Sequence, residues 1–198
     1  MREGVLKLSN AVKSTLGPLG RAAVVDRSWG GPKVTKDGAS VAEEVDLADP
    51  YQNLAVKLVR AAAEKTSGEA GDGSTTSTVL AEKIFMEGTK HVTAGVNTML
   101  LGKGIRAATE KVVKNLKSHS IPIKTQEQIL AIATVASNND RTIGKTISDA
   151  MEKVGKDGVI TIEEGKGFET EVDVVEGMEF DRGYLSPHFV TNPDKMIR

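Results

Sequence analysis

The sequence predicts a mainly α-helical chain with α+β parts: a helical block, a smaller helical hinge block, and the start of a β-rich segment. Three observations predict it. Up to about residue 154, long stretches repeat apolar residues every three to four positions, the spacing of one helix face. Capping residues stand where these stretches begin, and glycine or proline where they end. Beyond Lys156 the pattern turns strand-like, in "GVITIEE" (158–164) and "ETEVDVVEGMEFDRGY" (169–184).

The elements follow in order. Residues 2–14 form a helix with Val5, Leu8, Val12 and then Leu16 on one face, stopped by "TLGPLG" (15–20). "AAVVD" (22–26) is a short strand, "SWGGP" (28–32) a turn, and "KVTKDG" (33–38) a second strand and turn. Asp49-Pro50 starts a helix, with an acid at the N-cap and proline at the first helical position. That helix runs to about Ser67 with Leu54, Leu58, Val59 and Ala62 inward. After a glycine loop another helix carries Val79, Leu80 and Ile84 to a stop at Gly88. Asn97 caps a longer one with Leu101, Ile105, Ala108, Val112 and Leu116, weakened by Gly102 and Gly104 unless these allow close packing. "SIPIKT" (120–125) is a connector, Thr125 and Gln128 make a capping box for helix 126–137, "NND" (138–140) breaks it, and 140–154 is helical again.

Composition narrows the function classes. Apolar residues are 39% of 198 and aromatics 4%, so the core must be Val, Leu, Ile and Ala. A net charge of −1 argues against a polyanion-binding surface, hence no nucleic acid. No apolar run is long enough to span a bilayer, and the amphipathic start "MREGVLKLSNAVK" lacks the apolar core of a secretory signal, hence no membrane. With no cysteine there are no disulfides and no thiolate metal sites, and His91, His119 and His188 share no ligand spacing. The expectation is a soluble intracellular protein.

The segment "GEAGDGSTTSTVLAE" (68–82) carries the chemistry. Gly68 and Gly73 have the spacing of a Walker phosphate loop, but Ser74 stands where lysine belongs and a helix precedes. "IGKT" (143–146) has the Gly-Lys-Thr end but Asn139 in place of the first glycine, and no third glycine completes a dinucleotide fingerprint after Gly71 and Gly73. The physical logic outlasts both failures. A helix N-terminus offers unpaired N–H groups and partial positive charge, so Gly73, Ser74, Thr75 and Thr76 suit phosphate oxygens. Asp72 would repel phosphates unless a divalent cation such as magnesium stood between them. The plainer reading makes Asp72 or Ser74 an ordinary N-cap. Likewise "TLGPLG" reads as a helix stop and "TKDG" (35–38) as a hairpin turn, so Lys36 and Asp37 matter only if the fold brings them to the same place.

"TLGP" (15–18), "TKDG", "AGDGSTTSTVLA" (70–81), "KVGKDGVITIEEG" (153–165) and "VVEGMEFDRGYLSP" (174–187) occur in one order. This combination closely resembles the group I chaperonins, the 60-kilodalton ring-forming, ATP-driven folding machines of bacteria and organelles. The resemblance covers essentially the whole chain. It implies that residues 1–118 are the N-terminal half of an equatorial nucleotide-binding domain, 119–175 half of an intermediate hinge domain, and 176–198 the beginning of an apical domain. It implies an ATP site lined by Thr15, Leu16, Gly17, Pro18 and Lys36, with phosphates on Gly73, Ser74, Thr75 and Thr76. Asp72 would hold Mg2+, with K+ as a further cofactor, and Asp37 would be the acid implicated in hydrolysis. Tyr184, His188 and Phe189 would bind clients.

The implied partners are non-native polypeptide clients, a co-chaperonin lid and copies of the subunit in a homo-oligomeric ring, in the bacterial cytoplasm or alternatively the mitochondrial matrix or plastid stroma. Ser74 replaces the family's usual threonine, Leu19 a usually basic residue, and His188 a usual tyrosine. Family subunits return from the apical domain to complete the other two, and no such return lies within these residues. The chain is therefore expected to be part of a longer subunit or, in the alternative, a truncated, non-hydrolysing binding or scaffold module. The failed Walker spacing argues against an unrelated nucleotide enzyme.

Overall fold

The computed structural model describes residues 1–17, 19–26, 31–155, 158–162, 170, 172–174 and 186. The chain divides into two units, residues 1–117 and 118–198. In the first, α1 (Arg2–Lys13), β1 (Ala23–Val25), β2 (Lys33–Thr35), α2 (Gly38–Glu43), α3 (Pro50–Ala70) and α4 (Ser74–Thr93) follow one another, and α5 (Thr98–His119) begins. In the second, α6 (Gln126–Ala136) and α7 (Arg141–Val154) pack as a pair.

The helix starts are those the capping residues dictate. The Asp49 carboxylate accepts from the Gln52 N–H at 2.8 Å, with Pro50 at the first turn. Asn97 Oδ1 accepts from the Met99 and Leu100 N–H groups. Thr125 and Gln128 form the complete capping box. Asn138 and Asn139 break the helical run with positive φ, and Asp140 caps α7. β1 and β2 pair antiparallel, with Val24 opposite Val34.

The first unit's core is small and aliphatic: Val5, Leu8 and Val12 of α1, Val41 and Ala42 of α2, and Ala55, Val56, Val59 and Ala63 of α3. Leu8 and Val56 are completely buried, each worth about 1.5–3 kcal/mol of burial. α1 and α3 approach closely because Gly4 has no side chain. A Cβ there would overlap the Gln52 backbone, with that residue's carbonyl carbon at 2.8 Å.

Several inward assignments need correction. Leu16 is 47% exposed and does not join the α1 face. On α3, Leu54 and Leu58 are 50% and 62% exposed, and their neighbours Ala55, Val56 and Ala63 are buried instead. Small residues let α1 and α2 come close, so the larger leucines point away. α4 does not stop at Gly88 but continues to Thr93, and Leu80 and Ile84 face outward. Its buried positions are Ser74, Thr75, Thr78 and Glu82. α5 has no buried residue: Leu101 lies beside Gly88 of α4, but the rest of the apolar stripe to Leu116 is largely uncovered among the described residues. Residues 158–162 form no strand, and the only sheet among the described residues is β1–β2, so that segment has no ladder partner there. In the second unit, a Cβ on Gly144 would fall 2.7 Å from Thr134 Cα, which marks the close approach of α6 and α7.

Candidate functional site

α3 ends at Gly71, whose φ of 70° is left-handed, and α4 starts after Gly73, left-handed at 85°. Two left-handed residues in three reverse the chain within a short turn, which only glycine does without strain. Asp72 stands between them, exposed, and its Oδ1 accepts from the Gly73 N–H at 2.7 Å. The N-cap of α4 is Gly73, and no side chain among the described residues accepts from the first N–H groups of this helix. α2, α3, α6 and α7 are all capped by a side chain. The plainer reading, in which Asp72 or Ser74 caps α4, is therefore not the arrangement found.

Three distant segments meet at this helix start. Thr15, just past α1, donates its hydroxyl proton to the Val12 carbonyl at 2.8 Å. Its Oγ1 lies 2.8 Å from Thr75 Oγ1. Since Thr15 has already given up its one proton, Thr75 is the donor. From the other side comes Asp37, the N-cap of α2, accepting from the N–H groups of Ala39 at 3.2 Å and Ser40 at 2.8 Å. The Ser74 hydroxyl donates to Asp37 Oδ1 across a longer 3.4 Å. A Cβ on Gly38 would collide with Thr75 Oγ1 and stand 3.1 Å from the Thr75 nitrogen. The "TKDG" turn thus packs directly on α4, which its hairpin reading alone does not require.

The electrostatics follow from these bonds. Partial burial opposes ionisation of Asp37, but hydrogen bonds from the Ser40 backbone and hydroxyl, the Ala39 N–H and the Ser74 hydroxyl outweigh it. Its carboxyl is held below the ordinary aspartate value.

Of the residues expected at the site, Thr15, Asp37, Ser74 and Thr75 are joined by hydrogen bonds. Asp72 and Gly73 form the adjoining turn. Thr76 follows in the first turn of α4 and is exposed. Lys36 is next to Asp37 and exposed, and Leu16 and Gly17 continue from Thr15. Pro18, Tyr184, His188 and Phe189 lie outside the described residues. Sequence reasoning missed Gly38, although its place directly after Asp37 was a signal, and the buried carboxylate of Glu82 on α4.

All side-chain donors here are oxygens, which suits a hard cation. No group of three or more His, Cys, Asp or Glu residues able to hold a metal occurs among the described residues. The donor set fits a cation that keeps water and takes phosphate oxygens alongside one carboxylate, as magnesium does.

The structure is similar to solved chaperonins. One is the chaperonin gp146 from bacteriophage EL 2 (Pseudomonas aeruginosa), crystallised in the presence of ATP-BeFx. It has 26% sequence identity in two crystal forms, with TM-scores of 0.67 and 0.61 over 85% and 75% of this chain. Another is a group III chaperonin in the open state, at 27% identity and a TM-score of 0.63 over 77% of this chain. The chain spans 26 to 30% of the length of these proteins. The model of the TCP-1/cpn60 chaperonin family matches residues 8–197. On that match, together with the shared fold, the chain belongs to the TCP-1/cpn60 chaperonin family.

Proposed function

We propose that this chain supplies the phosphate- and magnesium-binding half of the ATP site of a chaperonin that encloses non-native proteins and assists their folding. The observation that carries this reading is the start of α4. Its first N–H groups have no side-chain acceptor, they follow a glycine turn, and an exposed carboxylate stands beside them. A helix start left open in this way suits an anion.

Each residue then has a role. The N–H groups of Ser74, Thr75 and Thr76 receive phosphate oxygens. The Thr75 hydroxyl proton is committed to Thr15 and the Ser74 proton to Asp37, so Thr76, exposed in the first turn, is the hydroxyl that turns to the ligand. Asp72 would hold magnesium, whose positive charge would offset the repulsion between a carboxylate and phosphates. The carboxylate of Asp37, ionised at neutral pH, is the acceptor placed to orient an attacking water. Leu16, Gly17, Pro18 and Lys36 extend the ATP wall, and K+ is a candidate second ion. Tyr184, His188 and Phe189 belong to the client-binding surface. Assembly into a ring with a lid, in the bacterial cytoplasm or an organelle matrix, completes the reading.

Equilibrium dialysis of the chain with labelled ATP tests it. Binding is expected to be weak, to need magnesium, and to fall about tenfold or more in Asp72→Ala, the loss of one charge-assisted contact of about 1.4 kcal/mol or more. Binding that ignores both EDTA and this substitution would sink the assignment.

A further inference from the structure

The described residues include one fully buried acid that the site above does not use. Glu82, on α4, is 2% exposed and is paired with the Lys13 ammonium of α1. Lys83 approaches its other oxygen at 3.8 Å, from a side chain 65% exposed. A buried carboxylate tied to one close partner and one distant, exposed one is a poor contributor to stability. Desolvation cancels much of the attraction, and a well-packed apolar pair would serve as well. In some proteins such a pair is retained because it fixes the register between the elements that carry it.

The register in question is that of the candidate site. Lys13 is the last residue of α1, and its carbonyl accepts from the Leu16 N–H at 3.1 Å. The Val12 carbonyl accepts from both the N–H and the hydroxyl of Thr15. The turn that presents Thr15 is therefore bonded to Val12 and to the adjacent Lys13, whose side chain grips Glu82. On α4, Ser74, Thr78 and Glu82 are spaced at four-residue intervals and all are buried. The Ser74 carbonyl accepts from the Thr78 hydroxyl at 3.0 Å. This polar column runs from the phosphate-facing turn to the ion pair. The Thr15–Thr75 hydrogen bond closes the near end and Lys13–Glu82 the far end.

We infer that Lys13 and Glu82 are positioning residues for the nucleotide site: their ion pair fixes the end of α1 against α4 and so holds Thr15 on Thr75. The inference rests on the reading of α4 as the phosphate-binding helix. The test uses the whole 198-residue chain as wild type, Glu82→Gln, Lys13→Met and the double variant, followed by NMR of backbone amides. Two quantities are read: amide exchange at Thr15 and Thr75 relative to Val56 and Val59 of the α3 core, and the dissociation constant for MgATP from shifts of Gly73 to Thr75.

The expected result is faster exchange at the junction with the α3 amides unchanged, and a several-fold rise in the dissociation constant. The double variant should be no worse than the worse single one, because the two charges act as a unit. It leaves no unpaired buried charge, so it carries the measurement if either single variant fails to fold. Equal loss of protection at all amides, or an unchanged junction, would overturn the inference. MgATP binding that is the same in all four proteins overturns it too, while leaving the site reading intact. A wild type that binds no MgATP but shows the selective exchange change sinks the site reading and with it the nucleotide-positioning role, leaving only the ion pair's hold of α1 on α4.

Discussion

Asp37 caps one helix and faces the start of another, and its protonation should be felt in both. Its folded-state carboxyl lies below the unfolded value, so it adds stability that is fully present above about pH 4, the unfolded value, and lost as pH falls through the folded one. Removing the cap in Asp37→Ala should cost about 1 kcal/mol near pH 7. The gap to wild type should narrow on acidification below about pH 4, and urea titrations at several pH values check this. A gap that is constant with pH would mean that the charge is not what the cap uses. The chemistry at this scale was legible as residue types: a carboxylate between two glycines and hydroxyls at a helix start. What was not legible was that Thr75 gives its proton to Thr15, sixty residues away in sequence, because no spacing rule reports a long-range contact.

At the scale of elements, helix starts were legible because capping is local. Asp49, Asn97, Thr125 and Asp140 each announce a helix through their own nearby N–H groups. Helix faces were less so. Leucine outranks alanine on any hydropathy scale, yet α3 buries Ala55 and Ala63 and exposes Leu54 and Leu58, since the close approach to α1 leaves room only for small residues. α4 misleads further, because its buried column is polar. Close approach gives a sharp prediction in the other unit. Gly144→Ala should destabilise the α6–α7 pair by about 1–3 kcal/mol, since the new Cβ meets Thr134 backbone and cannot be relieved by a rotamer change. Thermal unfolding of that variant checks it, and an unchanged midpoint would mean that the helices slide apart freely. Gly38→Ala tests the site's packing in the same way: it should weaken MgATP binding more than Gly144→Ala does, as Thr75 must move.

Across the whole molecule, the first unit leaves a large apolar surface uncovered. Leu54, Leu58, Leu80, Ile84, Met99, Leu100, Val112 and Leu116 are each about half exposed or more. Surface of this extent favours association. The isolated chain is therefore expected to scatter light above its monomer mass as concentration rises, without forming a defined ring and without turning over ATP. Leu54→Glu with Leu58→Glu should reduce that association, and a monomer at all concentrations in wild type would contradict this expectation. The family was legible from five short motifs in order. That α5 buries no residue among the described residues was not, because a helix with a good apolar stripe reads the same whether or not something covers it.

The proposed function stands on the open N-terminus of α4 as the phosphate site, with Asp72 as the residue that would hold magnesium beside it. The most direct measurement is a backbone-amide NMR map of the chain titrated with ATP, first with magnesium and then with EDTA. The account predicts that the largest shifts fall on the amides of Gly73, Ser74, Thr75 and Thr76, that Thr15 and Ala39 move less, and that the set collapses without magnesium or in Asp72→Ala. Shifts centred elsewhere, for example on the start of α7 at Arg141–Thr146, or an unchanged pattern when magnesium is removed, would contradict it.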